Sequence, residues 1–199
     1  SGTPAPVPLE RLRGKNLGVL GLGRIGLSVS AKAKSFGLNV LGYDPYMSDN
    51  SVVPAYISIS GFDELLAESD YITVHTPLNN STVGLISDRE FGIMKPSAYL
   101  INCARGPIVD QLALYKALES NSIRGAGLDV MDQSEPSRCD PMFSLDNVII
   151  TPHVAFLSKD SVYELEVRTA QATKDVIQGR MPEFLVNPDV LTRSRIKLL

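Results

Sequence analysis

The chain has 199 residues, 44% of them apolar and 21% charged; these are the proportions of a globular protein with one sizeable core, and they exclude wholesale disorder and a coiled-coil or collagen-like rod. Nineteen Lys and Arg against 22 Asp and Glu give a formal charge of −3, without the basic excess that a phosphate backbone demands, so nucleic acid is not an expected partner. No apolar run approaches the ~20 residues that cross a bilayer, and SGTPAPVPLE lacks a secretory pattern; with Cys103 and Cys139 forming no disulfide framework, a cytoplasmic protein without membrane or metal partners is expected.

Pro4, Pro6 and Pro8 mark residues 1–13 as an extended linker. From Asn16 the text changes. NLGVLG reads as a short apolar strand, GLGRIG as a turn, and RIGLSVSAKAKSF as a helix with Ile25, Val29, Ala33 and Phe36 on one side. Gly37 closes that helix where a left-handed residue is wanted, and NVLGYD reads as a second strand ending at Asp44. FDELLAES is a short helix, YITVH a strand, and SDREFGIM a helix opened by Ser87 with Glu90 three residues later, a capping box. AYLINC is the next strand, DQLALYKALES a helix, GAGLDV and NVIIT strands, and residues 159–178 a long final helix. Apolar strands without polar alternation, joined by helical crossovers, predict a doubly wound parallel α/β sheet in three layers.

The turn GLGRIG follows a strand and opens a helix, the context in which G-x-G-x-x-G carries a mechanism. Gly21 permits the tight turn, Gly23 lets the main chain approach a pyrophosphate, and Gly26 lets the helix pack on its strand. Amides at the helix start, from Arg24 and Ile25 onward, then face the phosphates. Asp44 ends the second strand, where a carboxylate accepts ribose hydroxyls; beside a 2′-phosphate ~4 Å away it would be repelled by roughly 4 kcal/mol per unit charge, so NAD is expected rather than NADP. The competing reading of Asp44 is a turn former ahead of Pro45.

The segments GKNLGVLGLGRIG, GYDPYMSD, HTPLNNSTVGLI, INCARGPIVD, GAGLDV and NVIITPH occur in the order and spacing of the D-isomer-specific 2-hydroxyacid dehydrogenases, which the chain resembles over about residues 11–190. Within that superfamily GYDPYMSD and the long final helix look most like the C-terminal-binding-protein-like branch. The resemblance implies a Rossmann domain over residues 14–185 and hydride transfer between NAD and a small 2-hydroxy or 2-oxo acid. It assigns Arg105 to the substrate carboxylate and His153 to acid–base work, a role suited to an imidazole near neutral pH. It also implies an acid five residues after Asp129, but that position is Ser134. Glu135, directly before Pro136, is taken as the acid that orients His153, with Asp132 as the alternative. His75, Thr76 and Pro77 would wall the adenosine, and Cys103, Ala104 and Asp129 would lie at the nicotinamide, Cys103 without a catalytic role. His75 as a loop histidine satisfied by backbone, and Asp129 as a strand-end turn carboxylate, are the competing readings.

Proteins of the family place about a hundred residues of substrate domain before the cofactor domain, whereas fifteen residues precede the first strand here. An isolated cofactor domain of a two-domain enzyme is therefore expected, with residues 186–199 returning toward the absent lobe. It should bind NAD with little turnover, and pair as a homodimer through the cofactor domain. The alternative from the same branch is an NAD-sensing corepressor-like scaffold that uses the fold to bind proteins.

Overall fold

The computed structural model describes residues 10–47, 53–133, 137, 139–187, 189 and 191. The chain divides into two compact units, before and after the peptide joining His153 and Val154.

The first unit is built on seven parallel strands: β1 (Asn16–Leu20), β2 (Asn39–Tyr43), β3 (Ile57–Ile59), β4 (Tyr71–Val74), β5 (Tyr99–Asn102), β6 (Gly125–Leu128) and β7 (Val148–Ile150). Their spatial order is β3-β2-β1-β4-β5-β6-β7. Between them lie α1 (Arg24–Ser35), α2 (Phe62–Glu68), α3 (Asp88–Ile93) and α4 (Gln111–Glu119), with two 3-10 turns, Gly106–Ile108 and Pro141–Ser144. The doubly wound sheet predicted from the apolar strands is thus present, and β3, three residues that carry too short a pattern to read, is added to it.

Side-chain alternation along β1 shows how the layers form. Leu17 and Val19 join Ala33 of α1 and Val40 of β2 in one core, whereas Leu20 joins Leu65 and Leu66 of α2 in another. The register puts Gly18, Ile72, Leu100 and Ala126 in one row. That row faces α2, because a Cβ at Gly18 would run into Leu65 and Ser69. α3 and α4 bury Phe91, Leu114 and Leu118 in the same core. Right-handed crossovers explain the division: strands added on one side of β1 carry their helix on one face, and strands added on the other side carry theirs on the opposite face.

The same rule leaves part of one face thinly covered. Thr73, Ile101, Gly127 and Ile149 form the alternate row; Ile101 and Gly127 are half-buried and Ile149 is 74% exposed. Among the described residues, Ile149 of β7 is exposed while Val148 and Ile150 are half-buried, where the apolar text implies burial on both faces.

One local reading needs correction. In α1 the inward residues are Gly26, Ser30 and Ala33, while Ile25 and Phe36 are each 67% exposed. The helix lies so close to the sheet at Gly26 that a Cβ there would overlap Gly21 O, and small residues take the inner face. At α3 the capping box read from the sequence is present, with Glu90 reaching back to the Ser87 N–H at 3.0 Å, and Ser87 Oγ also donates to Asp110 at 3.1 Å. Gly37 has φ +83 and closes α1 as expected.

The second unit contains α5 (Lys159–Ile177), opened by Ser158, whose Oγ accepts the Ser161 N–H at 3.0 Å. None of its residues is buried. The guanidinium of Arg168 lies 5.8 Å from the centre of the Phe184 ring. Among the described residues, no helix is long and apolar enough to cross a membrane.

Candidate functional site

Strand order reverses between β1 and β4, and the crevice at their carboxyl ends is where open α/β sheets take ligands. Gly21 leaves β1 with φ +94, and a Cβ there would meet the carbonyl of His75 and the amide of Thr76 at 2.8–2.9 Å. The two strand ends are therefore pressed together. The main chain also ties them: Gly21 N–H donates to Tyr43 O at 2.8 Å and His75 N–H to Leu20 O at 2.7 Å.

Gly23 is different. It precedes α1 in extended conformation, φ −72, and among the described residues nothing lies within 4 Å of the place its Cβ would occupy. The described residues supply no steric reason for a glycine here, while a diphosphate drawn up to the helix start would supply one. No side chain caps α1, so its first turn, Arg24, Ile25 and Gly26, presents main-chain donors and the positive end of the helix dipole to that space.

Across the crevice, Asp44 Oδ2 accepts the Leu22 N–H and Oδ1 the Tyr46 N–H, each at 3.0 Å. The carboxylate thus forms the turn into Pro45 and braces the glycine loop at once. About four acceptor positions belong to a carboxylate, so capacity remains for ribose hydroxyls. On the β4 side, Thr76 is buried and its hydroxyl has no partner among the described residues. An unsatisfied buried hydroxyl costs about 1–3 kcal/mol, which a ligand oxygen would relieve. Pro77 beside it is exposed. His75 is half-buried and its Nε2 lies 3.0 Å from Thr73 Oγ1; burial pushes its pKa below the ordinary 6.5. Open room at Gly23, an orphan hydroxyl and a braced carboxylate together fit a dinucleotide.

Farther along the sheet edge a pocket of about 460 Å³ brings together Arg105, Asp129, Asp132 and His153, with Phe143 and Met131 in its walls. Arg105 follows β5 and is exposed, its Nη1 donating to Ala104 O at 2.6 Å. Buried Asn102 sets the loop: Nδ2 donates to Arg105 O and Oδ1 accepts the Ala104 N–H, both at 3.0 Å. Asp129 is buried at the end of β6 and accepts from Thr151 Oγ1 at 2.5 Å. His153 is exposed with φ +55, a left-handed conformation uncommon outside glycine, and its N–H donates to Thr151 O at 3.0 Å. Cys103 lies near this end; burial, then the charge of Asp129, pushes its thiol pKa up, which favours an inert thiol.

The structure therefore brings Arg105, Asp129 and His153 to one pocket, and Gly21, Gly23, Arg24, Ile25, Gly26, Asp44, His75, Thr76 and Pro77 to one crevice. Glu135, taken as the acid beside His153, lies outside the described residues, as do Ser134 and Pro136. Asp132, its alternative, lines the pocket. Asn102, Thr151 and Gln111, which hold these loops, were not singled out by sequence reasoning; an amide closing an apolar strand and another at a helix start were the available signals. Among the described residues, no group of three or more His, Cys, Asp or Glu could hold a metal ion.

A family model for the NAD binding domain of D-isomer specific 2-hydroxyacid dehydrogenases matches residues 3–155. D-3-phosphoglycerate dehydrogenase of Methanocaldococcus jannaschii is 40% identical over 186 residues, covering 93% of this chain and 35% of that protein. Glyoxylate reductase of Thermococcus litoralis is 38% identical over 183 residues, covering 92% and 55%. D-lactate dehydrogenase from Lactobacillus jensenii, crystallised with NAD+, superposes with a TM-score of 0.84 at 33% identity, covering 94% and 59%. The chain spans between about a third and three-fifths of these relatives' lengths.

Proposed function

The chain belongs to the D-isomer specific 2-hydroxyacid dehydrogenases, with the NAD binding domain of that family, and from this premise we propose that it serves hydride transfer between NAD and a small 2-hydroxy or 2-oxo acid. The observation that carries the reading is the pocket uniting Arg105, Asp129 and His153 on the same strand-end edge as the glycine crevice.

Bound NAD would accept or supply the hydride. In the oxidation, the hydride leaves C2 of the hydroxy acid and the hydroxyl proton passes to the His153 imidazole, leaving a carbonyl; reduction returns both. Arg105, a fixed cationic fork, would clamp the substrate carboxylate and polarise the C2 oxygen. Glu135 would orient His153, with Asp132 as its substitute. Main-chain donors of the turn Gly21, Gly23, Arg24, Ile25 and Gly26 would hold the diphosphate, and Asp44 the ribose hydroxyls. His75, Thr76 and Pro77 would border the adenosine, while Cys103, Ala104 and Asp129 would border the nicotinamide, Asp129 accepting from its carboxamide.

Holding reactants in near-attack geometry supplies about 7–11 kcal/mol of a barrier, and much of that would come from a substrate lobe closing over the pocket. The 199-residue chain should therefore bind NADH yet turn over slowly. Fluorescence titration with NADH, and assays with glyoxylate, pyruvate and hydroxypyruvate, test this; no NADH binding, or turnover at ordinary enzyme rates, would refute it. A homodimer paired through the cofactor domain belongs to the same proposal, and sedimentation velocity would reveal a monomer instead.

A further inference from the structure

We infer that Gln111 is a positioning residue for the nicotinamide end of the site, gripping the segment between β6 and β7 at two points, Asp132 and Asp140; the inference rests on the NAD reading above. Gln111 is the first residue of α4, whose start is already capped by Asp110 accepting the Ala113 N–H at 3.0 Å. The helix itself has no need of the Gln111 amide. That amide is nonetheless used on both its atoms: Oε1 accepts the Asp132 N–H at 2.9 Å and Nε2 donates to Asp140 Oδ2 at 3.0 Å.

Each end continues into the pocket. Asp140 Oδ1 accepts the Met142 N–H at 2.9 Å and so starts the 3-10 turn Pro141–Ser144. Met142 is fully buried, which anchors the turn, and Phe143 enters the pocket wall. At the other end, the carbonyl of Met131 and the amide of Asp132 fill the space where a Cβ at Gly106 would stand, so fixing Asp132 also backs the loop that carries Arg105. One side-chain amide thus links two walls of the pocket to the rigid start of a helix before any ligand arrives, the arrangement that preorganises a site. The adenosine crevice, formed by β1, β2 and β4, lies outside this linkage.

The test compares NADH, followed by fluorescence, with ADP-ribose, followed by calorimetry, which keeps the adenosine and diphosphate and lacks nicotinamide. Gln111→Glu retains an acceptor for Asp132 N–H but sets two carboxylates against each other; it should weaken NADH about tenfold and move ADP-ribose by less than about twofold. Asp140→Asn should do the same from the opposite end, and serves if the first variant folds poorly. Combining the two reverses the polarity of the pair at unchanged net charge, and should restore NADH affinity to within about twofold. Equal losses for both ligands, unchanged NADH affinity in the single variants, or no restoration in the pair would overturn the positioning role. An unaltered chain that binds ADP-ribose and NADH upholds the NAD reading whatever the variants do; one that binds neither removes that reading and this inference with it.

Discussion

Single residues at the glycine turn separate folding from binding. Gly21 and Gly26 are explained by the protein alone, through a positive φ and close approaches to His75, Thr76 and Gly21 O. Gly23 is not, since open space surrounds it. Gly23→Ser should therefore leave stability unchanged or raise it by a few tenths of a kcal/mol, because serine caps helices at least as well as glycine. The same change should weaken NADH binding at least about tenfold by occupying the diphosphate's approach. Chemical denaturation and NADH titration of one variant read both effects. The positions of Gly21 and Asp44 were legible in the sequence because each directly follows an apolar strand, whereas Arg105 and His153 were singled out by the family resemblance. Gln111 was not legible, because its partners Asp132 and Asp140 meet it only in space; the Asn102 side chain bonds to Ala104 and Arg105, a local turn that its place at the end of an apolar strand masked.

At the scale of elements, the loop after β5 depends on Asn102. This residue is 1% exposed and satisfies one donor and one acceptor of the segment that ends in Arg105. Asn102→Ala removes both bonds and leaves main-chain groups without them, so a loss of about 2–3 kcal/mol in a urea unfolding curve is expected; a loss under about 0.5 kcal/mol would show the loop to be held otherwise. Most helices and strands were readable from periodicity, with boundaries within a residue or two. The inner face of α1 was not. Apolar spacing pointed to Ile25 and Phe36, but contact at Gly26 and Ser30 is too close for large side chains, and tertiary approach overrode the pattern. Strand β3 escaped for a different reason: Ile57–Ile59 is held by pairing with β2, which three residues cannot announce.

For the molecule as a whole, crossover handedness accounts for both the binding crevice and the uneven covering of the sheet. Reversal of strand order at β1 and β4 sends α1 to one face and α2, α3 and α4 to the other, opening the crevice at the point of reversal. The alternate row from Thr73 to Ile149 ends on β7, the last strand in the sheet among the described residues, where Ile149 is 74% exposed. Such a margin attracts other chains. Its consequence is colloidal: Ile149→Lys, a change that faces outward and disturbs no core residue, should raise the concentration at which light scattering first reports clustering while NADH affinity stays as it was. The sheet's bare margin would then limit how crowded a solution the protein tolerates, independently of what the crevice holds.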